Sequence, residues 1–434
     1  MSTRKAELLQ KLEGEVQRHL QLREETYVSD TSVQRNLDRE TDKLWQKLIS
    51  LDEGDDSITE RARSLCLRGQ LLDTSPDYSR EAEVSLIKAV KLKPSSVEAW
   101  NSLGTCFWKK SDLFGAMHCF NSALKWARNK QSLQQLSMLK RSMAKGSSDG
   151  KELVEESALT WQEGAGSSDG KELVEESVQH AKDAVMLDVK DCRSWYVLGN
   201  AHMGLYFADG AARPQHLRAA LKAYQNTEKA EAKSDIPDLH FNRAMVYKYL
   251  EEHQNALAGF TAAGKLDPSL PWQQEVEAIM ALVSLTAELV ASKGHLKPKK
   301  LAAVMNAMST SVPSTHTLAS TAQLTAGNNK GLAVSCRVME DVAANNCIPL
   351  RYVAVDHTGA CFALSVLGLS GAAIKHNSTL TLLDPRFFQA HCWWEQKELK
   401  YPCIRMETPM THMLCGGRAP YGFKSTPTLM TTNI

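Results

Sequence analysis

Trp100, Leu103, Gly104 and Phe107 are followed by Ala116, Phe120 and Ala123. The first four fall on one face of a helix, and so do the last three, with a turn between them. Gly104 and Ala116 are small enough for two helices to meet closely, and the large residues fill the remaining gap. A chain with this beat folds into helix hairpins that bury one face against the next hairpin and stack into a solenoid. The inner surface of such a stack is a groove, and its default occupant is a peptide.

The beat recurs. Leu67, Gly69, Ala82, Leu86, Ala89 and Pro94 make an earlier hairpin, and Gly104 follows Gly69 by 35 residues. Trp195, Leu198, Gly199, Ala220, Tyr224 and Thr227 make a later one, and Arg243, Ala244, Tyr247, Ala256, Phe260, Ala263 and Pro268 the last clear one. This is the tetratricopeptide (TPR) pattern, with its period of roughly 34 residues. A further hairpin has its first helix at Leu133, Leu136 and Leu139 and its second at Ser177, Ala181 and Ala184. That second helix arrives late. The block GSSDGKELVEES occurs at residues 146–157 and again at 166–177, and this offset of 20 residues accounts for most of the delay. An insertion within a hairpin projects as a surface excursion, because closure entropy grows slowly with loop length. Five hairpins are expected over 57–292. Leucine stripes over 1–56 suggest an N-terminal helical cap, and an amphipathic helix at 273–292 is suited to close the stack.

After residue 292 the texture changes. Residues 293–330 begin with the basic run KGHLKPKK and continue into a Ser/Thr/Ala/Gly/Asn-rich linker. Over 331–415 the period becomes strand-like, with short runs at 332–338, 350–355, 361–366, 380–383 and 404–406. Five short strands suggest a small all-β barrel of OB-fold type. Residues 416–434 read as a disordered tail. The fold class expected is therefore an α-helical TPR solenoid followed by an OB-fold-like barrel. A net charge of +1 favours neither nucleic acid nor membrane globally, so any such contact must be local. From Lys330 to Pro409 there are eight Lys/Arg and seven Asp/Glu, which argues against single-stranded nucleic acid on the barrel. Ten scattered cysteines without a C-x-x-C pair read as reduced thiols, and hence a cytoplasmic or nuclear protein.

In a TPR hairpin, positions 2, 5, 9, 12 and 13 of the first helix face the groove. Here they include Asn101 and Lys109, then Asn200, then Asp238; Arg141 falls near position 12 of the third repeat. A groove with both signs of charge suits a peptide carrying Arg and Glu. Asp238 could take an arginine or an amino terminus, and Arg141 a carboxylate in bidentate fashion. The blander alternatives are a helix N-cap for Asp238 and a solvated surface arginine for Arg141. Lys297, Lys299 and Lys300 form the sharpest basic cluster; on charge alone they read as a solvated helix end. No nucleotide-binding, metal-ligand or catalytic motif is present, so neither enzyme activity nor a cofactor or metal is expected.

The blocks SPDYSREAEVSLIKAVKLKPSSVEAWNSLGTCFWKK, RNKQSLQQLSMLKR, DCRSWYVLGN and PDLHFNRA, with LRYVAVDHTGACFALSV and IRMETP, resemble the tetratricopeptide repeat protein five (Strap) family over about residues 60–410. The resemblance implies that the groove recognises the amino-terminal Met-Arg-Glu of nascent tubulin at the ribosome. It implies recruitment of an mRNA-decay adaptor and a deadenylase complex, so that tubulin mRNA decays. It further implies a stress-responsive role with a nuclear acetyltransferase co-activator. Arg141 and Asp238 match the family's peptide contacts, and Lys297, Lys299 and Lys300 its contact with ribosomal RNA. One acidic position of the family is occupied here by Trp272. The alternative function is a co-chaperone that clamps a chaperone's C-terminal carboxylate; Asn101 and Asn200 suit that clamp, but its basic partners are missing from the expected places.

Overall fold

The computed structural model describes residues 2–25, 31–51, 57–144, 168–230, 236–308, 311–342, 348–369 and 373–419. The chain forms two compact units, Met1–Glu156 with Leu173–Leu198, and Ser157–Glu172 with Gly199–Ile434.

The first unit is helical. It holds α1 (Ser2–Glu25), α2 (Thr31–Leu51), α3 (Ile58–Leu72), α4 (Arg80–Leu92), α5 (Val97–Lys109), α6 (Leu113–Trp126), α7 (Lys130–Ala144), most of α8 (Ser168–Leu187) and the start of α9 (Cys192–Ala208). Helices α3 to α6 each begin at a capping side chain: Ser57, Ser79, Ser96 and Asp112 accept from the backbone N–H three residues on. Each cap contributes about 1 kcal/mol. The glycine at the hairpin contact is demanded by geometry. A Cβ on Gly104 would sit 2.5 Å from the Phe120 ring. Most of the expected leucine stripes of α1 and α2 is buried: Leu9, Leu12, Val16, Leu44 and Leu48 pack with Leu67 and Leu71 of α3, and Leu8 is exposed. The first copy of the duplicated block lies outside the described residues. The second runs into α8, where Val174 and Ser177 are buried.

The second unit contains the rest of α9, α10 (Pro214–Ala230), α11 (Pro237–Tyr249), α12 (His253–Leu266), α13 (Trp272–Ala291), α14 (Pro298–Asn306) and a strand-rich domain. The strands are β1 (Thr317–Leu318), β2 (Gly327–Asn328), β3 (Leu332–Asp341), β4 (Leu350–Asp356), β5 (Cys361–Val366), β6 (Thr379–Leu383), β7 (Arg386–Trp394), β8 (Lys397–Met406) and β9 (Met413–Cys415), with a short helix α15 (Pro409–His412). They join one curled sheet in the order β2-β7-β8-β5-β4-β3-β6-β9, with β1 beside β3. The five runs expected from the sequence correspond to β3, β4, β5, β6 and the end of β8. Strand β7 and the start of β8 were not expected, because Gln389, His391, Glu398 and Lys400 interrupt any apolar run; in the structure these lie on the exposed face, and Ala390, Cys392, Leu399 and Tyr401 on the buried one. Part of the expected linker is also structured: it carries α14, β1 and β2.

Burial explains why β4 reads as an unbroken apolar run. Leu350, Tyr352 and Ala354 face the barrel core beside Phe362, Leu380 and Ile404. On the other face Val353 packs on Leu289 of α13, and Val355 on Leu301 and Met305 of α14. A strand covered on both sides loses the alternation of a half-exposed one. Asp356 closes β4 by accepting from Thr321, Thr358 and Ala360 at 2.7–3.0 Å. Burial pushes its pKa up, and those donors outweigh burial and hold it down.

The β7–β8 hairpin turns on Glu395 and Gln396, at φ of +45° and +67°. A two-residue hairpin of this kind requires left-handed backbone at both positions, where Asn and Gly are the favoured residues. Gln396→Gly should therefore raise stability by about 0.5–1 kcal/mol, read from the denaturant midpoint. A loss of stability would show that the Gln396 side chain supports the turn.

Candidate functional site: groove residues and a displayed lysine cluster

The residues of the first unit that the repeat pattern assigns to the groove are held by its own helices. Asn101, on α5, is 2% exposed. It donates towards Asn129 and Gln131 at 3.3 Å, and its Oδ1 accepts from Ser132 at 2.5 Å. It joins one repeat to the next. Lys109, at the end of α5, donates to the carbonyls of Asp73 and Ser75 at 2.5 and 2.8 Å. It also lies 3.2 Å from the Asp73 carboxylate. Burial pushes the Asp73 pKa up to about 6 despite that ammonium. The lysine thus fastens the turn after α3.

Arg141 is fully buried, not a solvated surface arginine. Its guanidinium donates to Ser137 at 2.9 Å and to Ser177 at 3.2 Å, and the two hydroxyls lie 2.9 Å apart. Ser177 is the last residue of the second copy of the duplicated block. The guanidinium therefore locks α7 against α8, bridging the two helices between which the insertion falls. Ser137 and Ser177 went unrecognised as its partners in the sequence, because their separation in the chain hides a contact that only the hairpin creates.

In the second unit, Asn200 is buried and accepts from Tyr224 at 2.7 Å and from Asn242 at 3.3 Å, tying α9 to α10 and α11. Asp238 is not the N-cap of α11. Ile236 holds that position without a side-chain bond, Pro237 follows, and Asp238 comes next in the first turn. Its half-buried carboxylate stands at the positive end of the helix dipole. Asp238 and Arg141 belong to different units.

Lys297, Lys299 and Lys300 open α14, with Lys297 at its N-cap. All three are exposed, and none makes an ion pair among the described residues. The helix is anchored by its other face, where Leu301, Val304 and Met305 pack with Met308, Met339 and Val355. Cations at a helix N-terminus oppose its dipole by about 0.3–1 kcal/mol each. The fold thus presents three unpaired cations where helix stability alone would select acids.

Sequence reading also missed the join between repeats and barrel. The Glu251 carboxylate accepts from Arg351 of β4 and from the Ser365 hydroxyl of β5, and lies 3.6 Å from Arg405 of β8. Arg405 in turn donates to the carbonyls of Leu250 and Tyr249 at 2.6 and 3.1 Å, and Arg351 to the Tyr401 hydroxyl at 2.9 Å. An arginine inside each of two apolar runs, Arg351 at the start of β4 and Arg405 at the end of β8, was the available signal: such a group, once buried, requires an acceptor. Burial pushes the Glu251 pKa up, but the two guanidiniums outweigh it and hold the carboxyl below its ordinary range. Beside it, burial lowers the His253 pKa to about 3, so this imidazole stays neutral.

Among the described residues no His/Cys/Asp/Glu group could hold a metal ion, and no helix is long and apolar enough to cross a membrane. Nine free cysteines are described, most of them buried.

The sequence model of the Tetratricopeptide repeat protein 5 OB fold domain matches residues 315–421. Tetratricopeptide repeat protein 5 of Mus musculus is 34% identical over 433 residues, covering 94% of this chain and 93% of that one. The Homo sapiens protein of the same name is 32% identical over 401 residues, covering 88% and 86%. Among solved structures, the TPR protein YrrB, described as having an unusual peptide-binding site, shares 16% identity at a TM-score of 0.34, covering 54% of this chain and 97% of its own. Pseudomonas aeruginosa pilF shares 11% at a TM-score of 0.38, covering 62% and 99%. With identity of 34% over nearly its whole length and a matching OB-fold domain, this chain belongs to the tetratricopeptide repeat protein 5 family, a TPR family of protein-binding, scaffold type.

Proposed function

We propose that this protein is a non-enzymatic adaptor that reads the amino-terminal Met-Arg-Glu of nascent tubulin at the ribosome and couples it to decay of tubulin mRNA through an adaptor and a deadenylase complex. The observation that carries the reading is the α14 lysine cluster: three exposed, unpaired cations held against a helix dipole on an anchored helix, suited to a phosphate backbone. Family membership and the groove acid Asp238 support the peptide half of the reading. The co-chaperone alternative gains no support, since Asn101, Asn200 and Lys109 bond to the protein's own side chains and carbonyls.

Asp238→Ala should weaken binding of a Met-Arg-Glu-Ile peptide about 10- to 100-fold in calorimetry. A charge-assisted hydrogen bond contributes about 1.5–3 kcal/mol, and 1.4 kcal/mol is about tenfold. An unchanged affinity would remove Asp238 from the site.

A further inference from the structure

The second unit contains an open cleft that the reading above leaves unused. One wall is a face of α13 carrying Trp272, Val276, Glu277 and Met280; the other is the β7–β8 hairpin tip, with Trp394 and Glu395. The space between them is about 520 Å³, enough for a long side chain and the backbone beside it.

Trp272 is fixed in place. A Cβ on Gly264 of α12 would lie 2.2 Å from its Nε1, so the pyrrole edge of the indole rests on bare glycine backbone. The hairpin wall is also anchored: the backbone N–H of Trp393 donates to the side-chain oxygen of Gln254 on α12 at 2.8 Å. The turn that carries Glu395 holds two non-glycine residues in left-handed backbone. Strain of that kind persists where surrounding structure or function maintains it.

The charges of the cleft are unbalanced. Glu277 and Glu395 are exposed, and neither has an ion-pair partner among the described residues. Lys397, across the turn from Trp394, is the one cation on the lining. Two carboxylates and one ammonium leave a net charge of −1 beside two indoles and a thioether. Among the described residues neither indole carries a cation of the protein over its face. Aromatic faces attract cations, carboxylates pair with them, and a guanidinium does both, since it is planar, weakly hydrated and able to stack. A lysine ammonium holds its water more tightly and fits the flat walls less well.

We propose that this cleft binds an arginine side chain of a peptide segment, with the guanidinium stacked on Trp394 and paired to Glu277 or Glu395. The proposal rests on the reading of the repeats as a peptide binder, because α13 is the helix that follows the last hairpin.

The test uses the full chain and two probes, N-acetyl-arginine amide and its citrulline counterpart, which keeps the shape and removes the charge. The indole N–H resonances of Trp272 and Trp394, assigned by Trp→Phe variants, are followed by NMR. The expected result is a saturable shift of both with the arginine probe at millimolar concentration and a response at least tenfold weaker with citrulline. The double variant Glu277→Gln/Glu395→Gln should weaken the arginine response by about tenfold, and Trp394→Ala should abolish it with the fold intact by circular dichroism. Equal response to the two probes, or no shift at either indole, would overturn the proposal. Titration with Met-Arg-Glu-Ile separates the two readings. Tetrapeptide binding without an arginine-amide response sinks the cleft and keeps the tubulin reading. An arginine-amide response without tetrapeptide binding does the reverse.

Discussion

Glu251→Ala is expected to destabilise the second unit by about 3–5 kcal/mol, the cost of leaving buried charge without its partner. Glu251 follows α11 at φ +61° and is 7% exposed, with Arg351 and Arg405 beside it at 2% and 5%. The alanine variant leaves both guanidiniums facing a void. Arg405 keeps its two carbonyl acceptors and Arg351 keeps Tyr401, so the loss falls on the centre of the join. Denaturant unfolding, with hydrogen exchange of the β4 and β8 amides as a second probe, measures it; a change below 1 kcal/mol would show that the network contributes little. The pH dependence has a definite sign. The folded pKa of Glu251 is depressed, so its contribution is present above the ordinary value of 4.5 and lost as pH falls through the lower folded value. Wild type should therefore lose stability more steeply below pH 4.5 than Glu251→Gln, which has no carboxyl to protonate.

Reversing Lys297, Lys299 and Lys300 to glutamate should lower ribosome association by roughly two orders of magnitude in co-sedimentation. Each phosphate contact contributes a salt slope near −0.7 to −0.9, so three contacts make wild-type binding fall roughly 20- to 40-fold between 50 and 200 mM salt. Reversal removes these contacts and adds repulsion. The same substitutions place acids at the N-terminus of α14, where the dipole favours them by about 0.3–1 kcal/mol each. The fold should therefore be unharmed or slightly stabilised while binding is lost, which separates a contact role from a structural one. Undiminished co-sedimentation, or a wild type indifferent to salt, would end the ribosome reading.

Much of the helical architecture was legible because hairpin contacts are local. Gly104 and Phe120 lie 16 residues apart, and the spacing alone places one on the other. The strands of the barrel core were legible for a related reason: β3 to β6 are apolar where they face the core. Strand β7 was not, since its buried side chains are the small Ala390 and Cys392, which alternate with the exposed Gln389, His391 and Trp393, so no apolar run marks it. The site residues divide similarly. The exposed lysines of α14 sit where the basic run suggested. Arg141 lies in the interior, because its environment depends on α8, which the duplicated insertion separates from α7.

What the amino-acid sequence by itself determined is the repeat: five helix hairpins, the glycine contacts within them, and the change to an OB-fold domain after the basic run. Those follow from side-chain size and period, which act over a turn of helix or a pair of strands. The tertiary structure alone decided which polar groups meet. It brought Glu251 to Arg351 and Arg405 across 100 and 154 residues, and Trp272 to Trp394 across 122. Buried charge and paired aromatic walls depend on distances between distant segments, and no local periodicity encodes those distances.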